Sequence, residues 1–464
     1  MKPLIKSMLF VFGLVIMFLS SCKPEGDQPI SDPPKDSKDS ILYKIVYDTI
    51  TIDQKEVVVI DSIPYFSGEI ILDANTANAK IFRDSLKKLN FKRFKTCPCS
   101  GKMELWRYQG KGTIDVIGVV QNPPPSGGPV GGLSLNYVIR NENPDSFSFT
   151  GYDIKGELKT SNCATTAVKI AVTDSGVDTT KSVLHQSRFN WDIPALFKNC
   201  KPIPKTKFGQ NVYGIGQFYE PWDEDGHGTH INGIIAGATE QNFNVRGVKF
   251  QFINVKIMDD RTHRGDLFET VCGLYYALDQ KAKVINISWG FYDTVVPKPL
   301  ITFIKEAEKR KVIIVAGMGN NGWNLDVMKI KFWPACFAKT SNVISVGAVD
   351  GADKRASFSN ISNAKPEPSY MTVAALGVDV VSTYPKHLQP TGSKTGFARN
   401  SGTSMSTPFV SRTVAAMLGI KPSLTPFQVK DLILQQSKLS NVKPDTIIRI
   451  HQHDKVINTI CPLN

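Results

Sequence analysis

Past residue 165, apolar runs of strand length alternate with longer amphipathic stretches. Ala167–Val172, Phe252–Ile257, Lys283–Ile287, Val312–Val315 and Val343–Val346 are close to continuously apolar, the pattern of strands covered on both faces. Between them, Leu267–Gln280 and Leu300–Arg310 repeat apolar residues at three- and four-residue spacing and predict helices. Thr425-Pro-Phe-Gln428 opens another helix, with a capping threonine, proline at the first helical position and glutamine placed to close a capping box. This alternation predicts an α/β domain over residues 165–464, a parallel sheet with helices on both faces.

The pattern ahead of that domain is different. Ile45–Ile52 and Glu56–Ile60 predict two short strands about a polar turn, residues 75–90 a helix, and Met103–Tyr108 a further strand. Residues 66–120 thus read as a small α+β region, and residues 121–164, with the break Pro123-Pro-Pro-Ser-Gly-Gly-Pro129, as a linker into the larger domain. No internal repeat is apparent. At the start, Lys2 and Lys6 precede an apolar run from Met8 to Leu19 and the small residues Ser20-Ser21. That run is too short to span a membrane and predicts a signal peptide over residues 1–21. Residues 22–65 then combine a tether rich in Pro, Ser, Asp and Lys with the two short strands.

Composition changes this picture only in part. The chain has 464 residues, 41% of them hydrophobic and 21% charged, enough for a large core and a second, smaller region. A formal charge of +13 raises the question of nucleic acid, but the basic residues are dispersed except for the knot Arg83–Lys95, which alternates like the solvated face of a helix running into a strand. No nucleic-acid partner is expected. Of eight cysteines, setting Cys22 aside leaves an odd number, so at least one stays free. Cys272, within a helical pattern, is the expected buried thiol, and Cys97-Pro-Cys99 lacks the spacing of a redox or zinc knuckle.

Candidate chemistry gathers at one edge of the predicted sheet. Asp174 follows the first strand, Ser288 the third and Asn320 the fourth, and ligands of open parallel sheets bind beyond the carboxyl ends of the strands. His227-Gly-Thr-His230 holds two of the seven histidines, without the glutamate of an H-E-x-x-H zinc frame or a third ligand, so no metal is expected there. Asn400-Ser-Gly-Thr-Ser-Met-Ser-Thr-Pro408 leads into a helix through Leu418. A serine at a helix start is ordinarily a cap, but the same place suits a nucleophile beside unused backbone N–H groups.

Taken together these blocks resemble the subtilisin-like serine peptidases, the subtilases. The resemblance lies in Val172-Thr-Asp-Ser-Gly-Val177, His227-Gly-Thr-His230, Gly319-Asn320 and Gly402-Thr-Ser-Met405 with Pro408, in the chain order Asp, His, Ser. It implies a subtilisin-like fold and a serine endopeptidase acting on polypeptides. Ser404 would be the nucleophile, His227 the base, Asp174 the residue that orients it, and Asn320 an oxyanion donor. His230 would be structural. Ser288-Trp289-Gly290 would line the pocket for the residue before the scissile bond and pair with extended substrate, with Trp289 in place of the usual leucine. Ser401, Phe409 and Ser411-Arg412 also depart from the family pattern, and Arg412 implies local repacking. The loop Glu240–Asn244 resembles the region of a calcium site in some subtilisins, but no matching acidic ligand follows Asp174, so structural calcium is unsupported and no cofactor is expected. Residues 66–120 weakly resemble a subtilase propeptide. Leu19-Ser-Ser-Cys22 resembles a bacterial lipoprotein box, implying an exported chain held at a membrane by lipid on Cys22, or secreted after processing.

Overall fold

The computed structural model describes residues 41–52, 55–97, 101–111, 114–121, 132–140, 165–178, 197–198, 201–202, 209–211, 222–237, 250–258, 264–340, 342–365, 368–391, 395–443 and 446–461. The signal segment, Cys22 and its tether, the break at 123–129 and the loop 240–244 lie outside them.

The first part is an antiparallel sheet. Strands β1 (Ile41–Ile52) and β2 (Lys55–Asp73) form a hairpin in which Ile52 faces Lys55. Helix α1 (Ala79–Lys88) follows, then β3 (Phe91–Thr96), β4 (Met103–Tyr108), α2 (Val116–Gln121) and β5 (Leu133–Arg140). Helix α1 buries Ala79, Phe82 and Leu86 and turns Lys87 and Lys88 of the basic knot outward. The sheet runs β5-β2-β4-β3, with β1 also on β2, and β2 continues unbroken through residues 65 and 66.

The second part opens with β6 (Val168–Asp174), β7 (Gly209–Asn211), α3 (His227–Ala236), β8 (Phe250–Lys256), β9 (Arg264–Asp266), α4 (Leu267–Asp279) and β10 (Val284–Ile287). It continues with β11 (Phe291–Asp293), α5 (Lys298–Lys309), β12 (Ile313–Gly317), β13 (Lys331–Trp333), β14 (Val343–Val349) and β15 (Val373–Leu376). The hairpin β16 (Val380–Thr383) with β17 (Phe397–Asn400), then α6 (Thr403–Ile420), α7 (Pro426–Gln436), β18 (Lys438–Lys443), β19 (Thr446–Ile450) and α8 (His453–Ile460) complete it. The large sheet runs β18-β19-β15-β14-β12-β10-β6-β8-β7 and is parallel except at β18. Alternate residues serve opposite faces: Ile170 and Val172 pack with α3, α6, α7 and α8, whereas Ala171 packs with α4 and α5. The fold is the predicted α/β one. The capping box of α7 also forms, with Thr425 accepting from the Gln428 N–H and Gln428 accepting in return.

The two parts are joined by more than packing. Strand β9 pairs antiparallel with β5, Gly265 opposite Ile139, so the larger part contributes a strand to the first sheet. Thr302 of α5 donates to Asp73 at 2.5 Å, Lys95 pairs with Glu269, and the Tyr137 hydroxyl donates to Asp293. Cys97 at the end of β3 is disulfide-bonded to Cys272 on α4, which corrects the expectation of a free Cys272. The helical pattern located Cys272 in a buried face but could not reveal that the first sheet lays Cys97 against that face. Cys461 is also disulfide-bonded, and the free buried cysteine among the described residues is Cys336.

Candidate active site

Strand β6 ends at Asp174, and its neighbours β8 and β10 end level with it: Lys256 lies opposite Asp174 and Ile287 opposite Thr173. Ser288 is therefore the next step along the same edge. Helix α3 starts at His227 and approaches this edge closely because position 228 is glycine. A Cβ there would lie 2.1 Å from the Gly176 carbonyl oxygen, an impossible contact. The Gly228 N–H instead donates to Ser175 Oγ at 2.8 Å. This sets His227 Nδ1 2.7 Å from Asp174 Oδ1, with both side chains almost completely buried.

That contact dominates the electrostatics. Burial by itself would lower the His227 pKa, but the carboxylate of Asp174, helped by Asp225 and Asp223, outweighs it and raises the value above the ordinary 6.5. A carboxylate on Nδ1 also keeps the proton on that nitrogen in the neutral ring, so Nε2 is the basic position.

Ser404 is the second residue of α6, where the backbone N–H has no partner within the helix. Pro408, four residues on, has no N–H to give the Ser404 carbonyl. The Ser288 hydroxyl fills that place, donating to the carbonyl at 3.0 Å, while the Ser404 hydroxyl donates back to the Ser288 carbonyl at 3.0 Å. Asn286 donates to Ser288 Oγ and accepts from Ser411, continuing the chain of bonds into the core. Thus the Ser404 hydroxyl is held by Ser288 and not by the imidazole in this arrangement. Asn320 turns its side-chain oxygen to Thr403, accepting from its N–H at 2.9 Å and its hydroxyl at 3.0 Å. Its amide nitrogen thereby faces away from Thr403.

The remaining sequence-predicted positions divide. Trp289 belongs to the core: its indole is fully buried and donates to Thr173 Oγ1 at 3.0 Å, so it meets any ligand only through its backbone. His230 Nε2 lies 3.1 Å from both the Val380 and Ala398 carbonyls, pinning the β16–β17 hairpin, and burial pushes its pKa down to about 3. Arg412 is fully buried, and its guanidinium sits where a side chain at Gly237 would be, the local repacking expected of it.

Asp223 was not foreseen, although a carboxylate just ahead of a helix is a capping signal. It accepts from Ser175 Oγ at 2.9 Å, from the Gly226 and Thr229 N–H groups at 2.8 Å, and from Thr229 Oγ1 at 2.5 Å. One carboxylate thereby ties the turn after Asp174 to the first turn of the His227 helix. Lys256, also unforeseen, donates to the Ser175 and Trp222 carbonyls at 2.6 Å and so ties the residue after Asp174 to the segment just ahead of Asp223.

Comparison with known proteins matches residues 165–450 to the Subtilase family. The chain is 32% identical over 266 residues to a cell wall-associated protease of Bacillus subtilis (strain 168), covering 57% of this chain and 25% of that protein. It is 34% identical over 256 residues to a thermophilic serine proteinase of Bacillus sp. (strain AK1), covering 54% and 51% respectively, and 31% identical over 271 residues to a subtilisin of Bacillus pumilus, covering 57% and 81%. The match therefore spans a quarter of the first relative's length and about half of the second's. Among solved structures, a cold adapted subtilisin-like serine proteinase aligns with TM-score 0.46 and 21% identity over 63% of this chain and 90% of its own.

Proposed function

Because the chain belongs to the subtilase family, we propose that it is a serine endopeptidase whose triad is Asp174, His227 and Ser404. The observation that carries the proposal is the buried 2.7 Å contact of Asp174 with His227 Nδ1, on the sheet edge that also holds Ser404 at a helix start. In the proposed reaction, a rotation about χ1 moves the Ser404 hydroxyl from the Ser288 carbonyl toward His227. Its oxygen attacks the peptide carbonyl carbon as Nε2 takes the proton. The oxyanion is received by the Ser404 N–H and the side-chain amide of Asn320. Collapse breaks the C–N bond, and the imidazolium returns its proton to the leaving amine. Water then attacks the acyl-serine ester by the same route, releasing the acid and restoring Ser404. Asp174 fixes the tautomer and stabilises the imidazolium.

Extended polypeptide is the proposed substrate, pairing through its backbone with Ser288–Gly290. Export and a lipid anchor at Cys22 are part of the proposal. The motif at Cys22 supports the anchor, and the disulfide Cys97–Cys272 supports an oxidising compartment. A propeptide-like role for the first sheet is proposed on the same terms.

The test is labelling of the full chain, purified in detergent, with a fluorophosphonate, followed by intact-mass measurement. A single adduct on the wild type and none on Ser404→Ala is expected. A folded wild type that takes no adduct would refute the proposal and favour a silent binding protein on this fold.

A further inference from the structure

Granting the peptidase function proposed above, we infer that Phe332 closes the pocket for the residue on the acyl side of the scissile bond, so that cleavage follows small residues: glycine, alanine or serine. The segments Ser288–Gly290 and Gly317–Asn320 leave the neighbouring parallel strands β10 and β12, Ile287 opposite Ala316, and emerge side by side. Ser404 Oγ rests on the carbonyl of Ser288 in the first segment, and Thr403 is bound to Asn320 in the second. A carbonyl carbon on Ser404 with its oxygen toward Asn320 therefore places the acyl-side side chain in the gap between the two segments.

That gap is occupied. A Cβ built on Gly290 would lie 2.3 Å from the Phe332 Cζ, and one built on Gly319 would lie 3.1 Å from its Cγ. The benzene ring thus reaches from one wall to the other, tip at Gly290 and root at Gly319. Phe332 is only 2% exposed, and both glycines are buried, so among the described residues the ring fills the space between these two walls.

The ring is also held in place. Phe332 faces Tyr292 across the β11–β13 ladder, with ring centroids 4.7 Å apart, and Trp323 packs on Tyr292 at 5.0 Å. The Tyr292 hydroxyl accepts from Asn360 at 2.7 Å. Asn360 in turn accepts from the Trp323 N–H at 2.9 Å, and its backbone N–H donates to the Gly319 carbonyl at 3.0 Å. Swinging Phe332 aside would disturb this whole set and the wall carrying Asn320. A small acyl-side residue needs no such displacement, whereas leucine or phenylalanine does.

The experiment uses the full chain and a series of internally quenched peptides that differ only at the acyl-side residue: Gly, Ala, Ser, Leu or Phe. For the wild type, kcat/KM is expected to be at least about 100-fold higher with Ala than with Phe, within the discrimination a hydrophobic pocket achieves. In Phe332→Ala and Phe332→Gly that ratio is expected to fall at least about 10-fold, with a lower KM for the Phe peptide. Equal or faster wild-type cleavage after Phe or Leu would overturn the inference, as would an unchanged ratio in either folded variant. If neither variant folds, the wild-type series alone decides. No cleavage of any peptide together with no fluorophosphonate adduct would instead refute the peptidase function, and this inference with it.

Discussion

Replacing Asp266 by asparagine should stabilise the protein above neutral pH and leave it unchanged in acid. Asp266 stands where β9 joins the first sheet, and it caps α4 by accepting the Glu269 N–H at 2.9 Å. Burial raises its carboxyl pKa, Lys95 opposes the rise and Glu69 adds to it, leaving the value at about 7 against an ordinary 3.8. The folded protein therefore keeps a proton that the unfolded chain loses. The contribution of Asp266 to stability is at its fullest below pH 4, declines as the pH climbs toward 7, and is lowest beyond it. At 1.36 kcal/mol per pH unit the ceiling on this loss is about 4 kcal/mol. Asp266 retains some solvent contact, so about 2 kcal/mol is the better expectation. Asparagine caps a helix as well as aspartate and carries no charge, so the cap survives and the pH dependence goes. Urea unfolding at pH 4 and pH 8, both proteins carrying Ser404→Ala to prevent self-digestion, measures the difference. Parallel curves at the two pH values, or a variant less stable at both, would show that Asp266 is ionised in the folded protein.

Other expectations concern the proposed reaction. Asn320→Ala should lower kcat by about 10²–10³-fold with little change in KM, a magnitude taken from subtilisin itself; a loss confined to KM would contradict an oxyanion role. Catalysis needs a neutral His227, so kcat/KM should rise with pH along a limb centred above 6.5, and Asp174→Asn should move that limb down, since burial would then act with less opposition. A wild-type limb centred below 6.5 would contradict the arrangement of charges around His227.

The large sheet was legible because its strands are buried on both faces and its helices carry a clear stripe, signals that need no distant partner. Asp174, Ser288 and Asn320 could be placed at one edge for the same reason: each follows a strand whose direction the alternation dictates. The pairing of Cys97 with Cys272 was illegible, since it joins positions 175 residues apart across an interface that no local pattern announces. Strand β9 is three residues long and forms only because β5 is there to receive it. Trp289 and Phe332 show the same limit at the site. Trp289 lies in the segment expected to line a pocket and Phe332 is distant from it in sequence, and only the packing tells that Trp289 faces the core while Phe332 lies between Gly290 and Gly319.

The bond between Cys97 and Cys272 turns the chain from residue 97 to residue 272 into a closed covalent circuit, on which both Asp174 and His227 lie. A peptide bond cut between Arg140 and Thr165 would open that circuit without dividing the molecule. The first sheet would stay attached to the domain that carries Ser404, and so would anything fastened to its N-terminal side. Such a cut would leave the non-reduced mass intact but for one water, and two pieces would separate only when a reductant was added. Departure of the first sheet would thus be decided by thiol chemistry as well as by proteolysis.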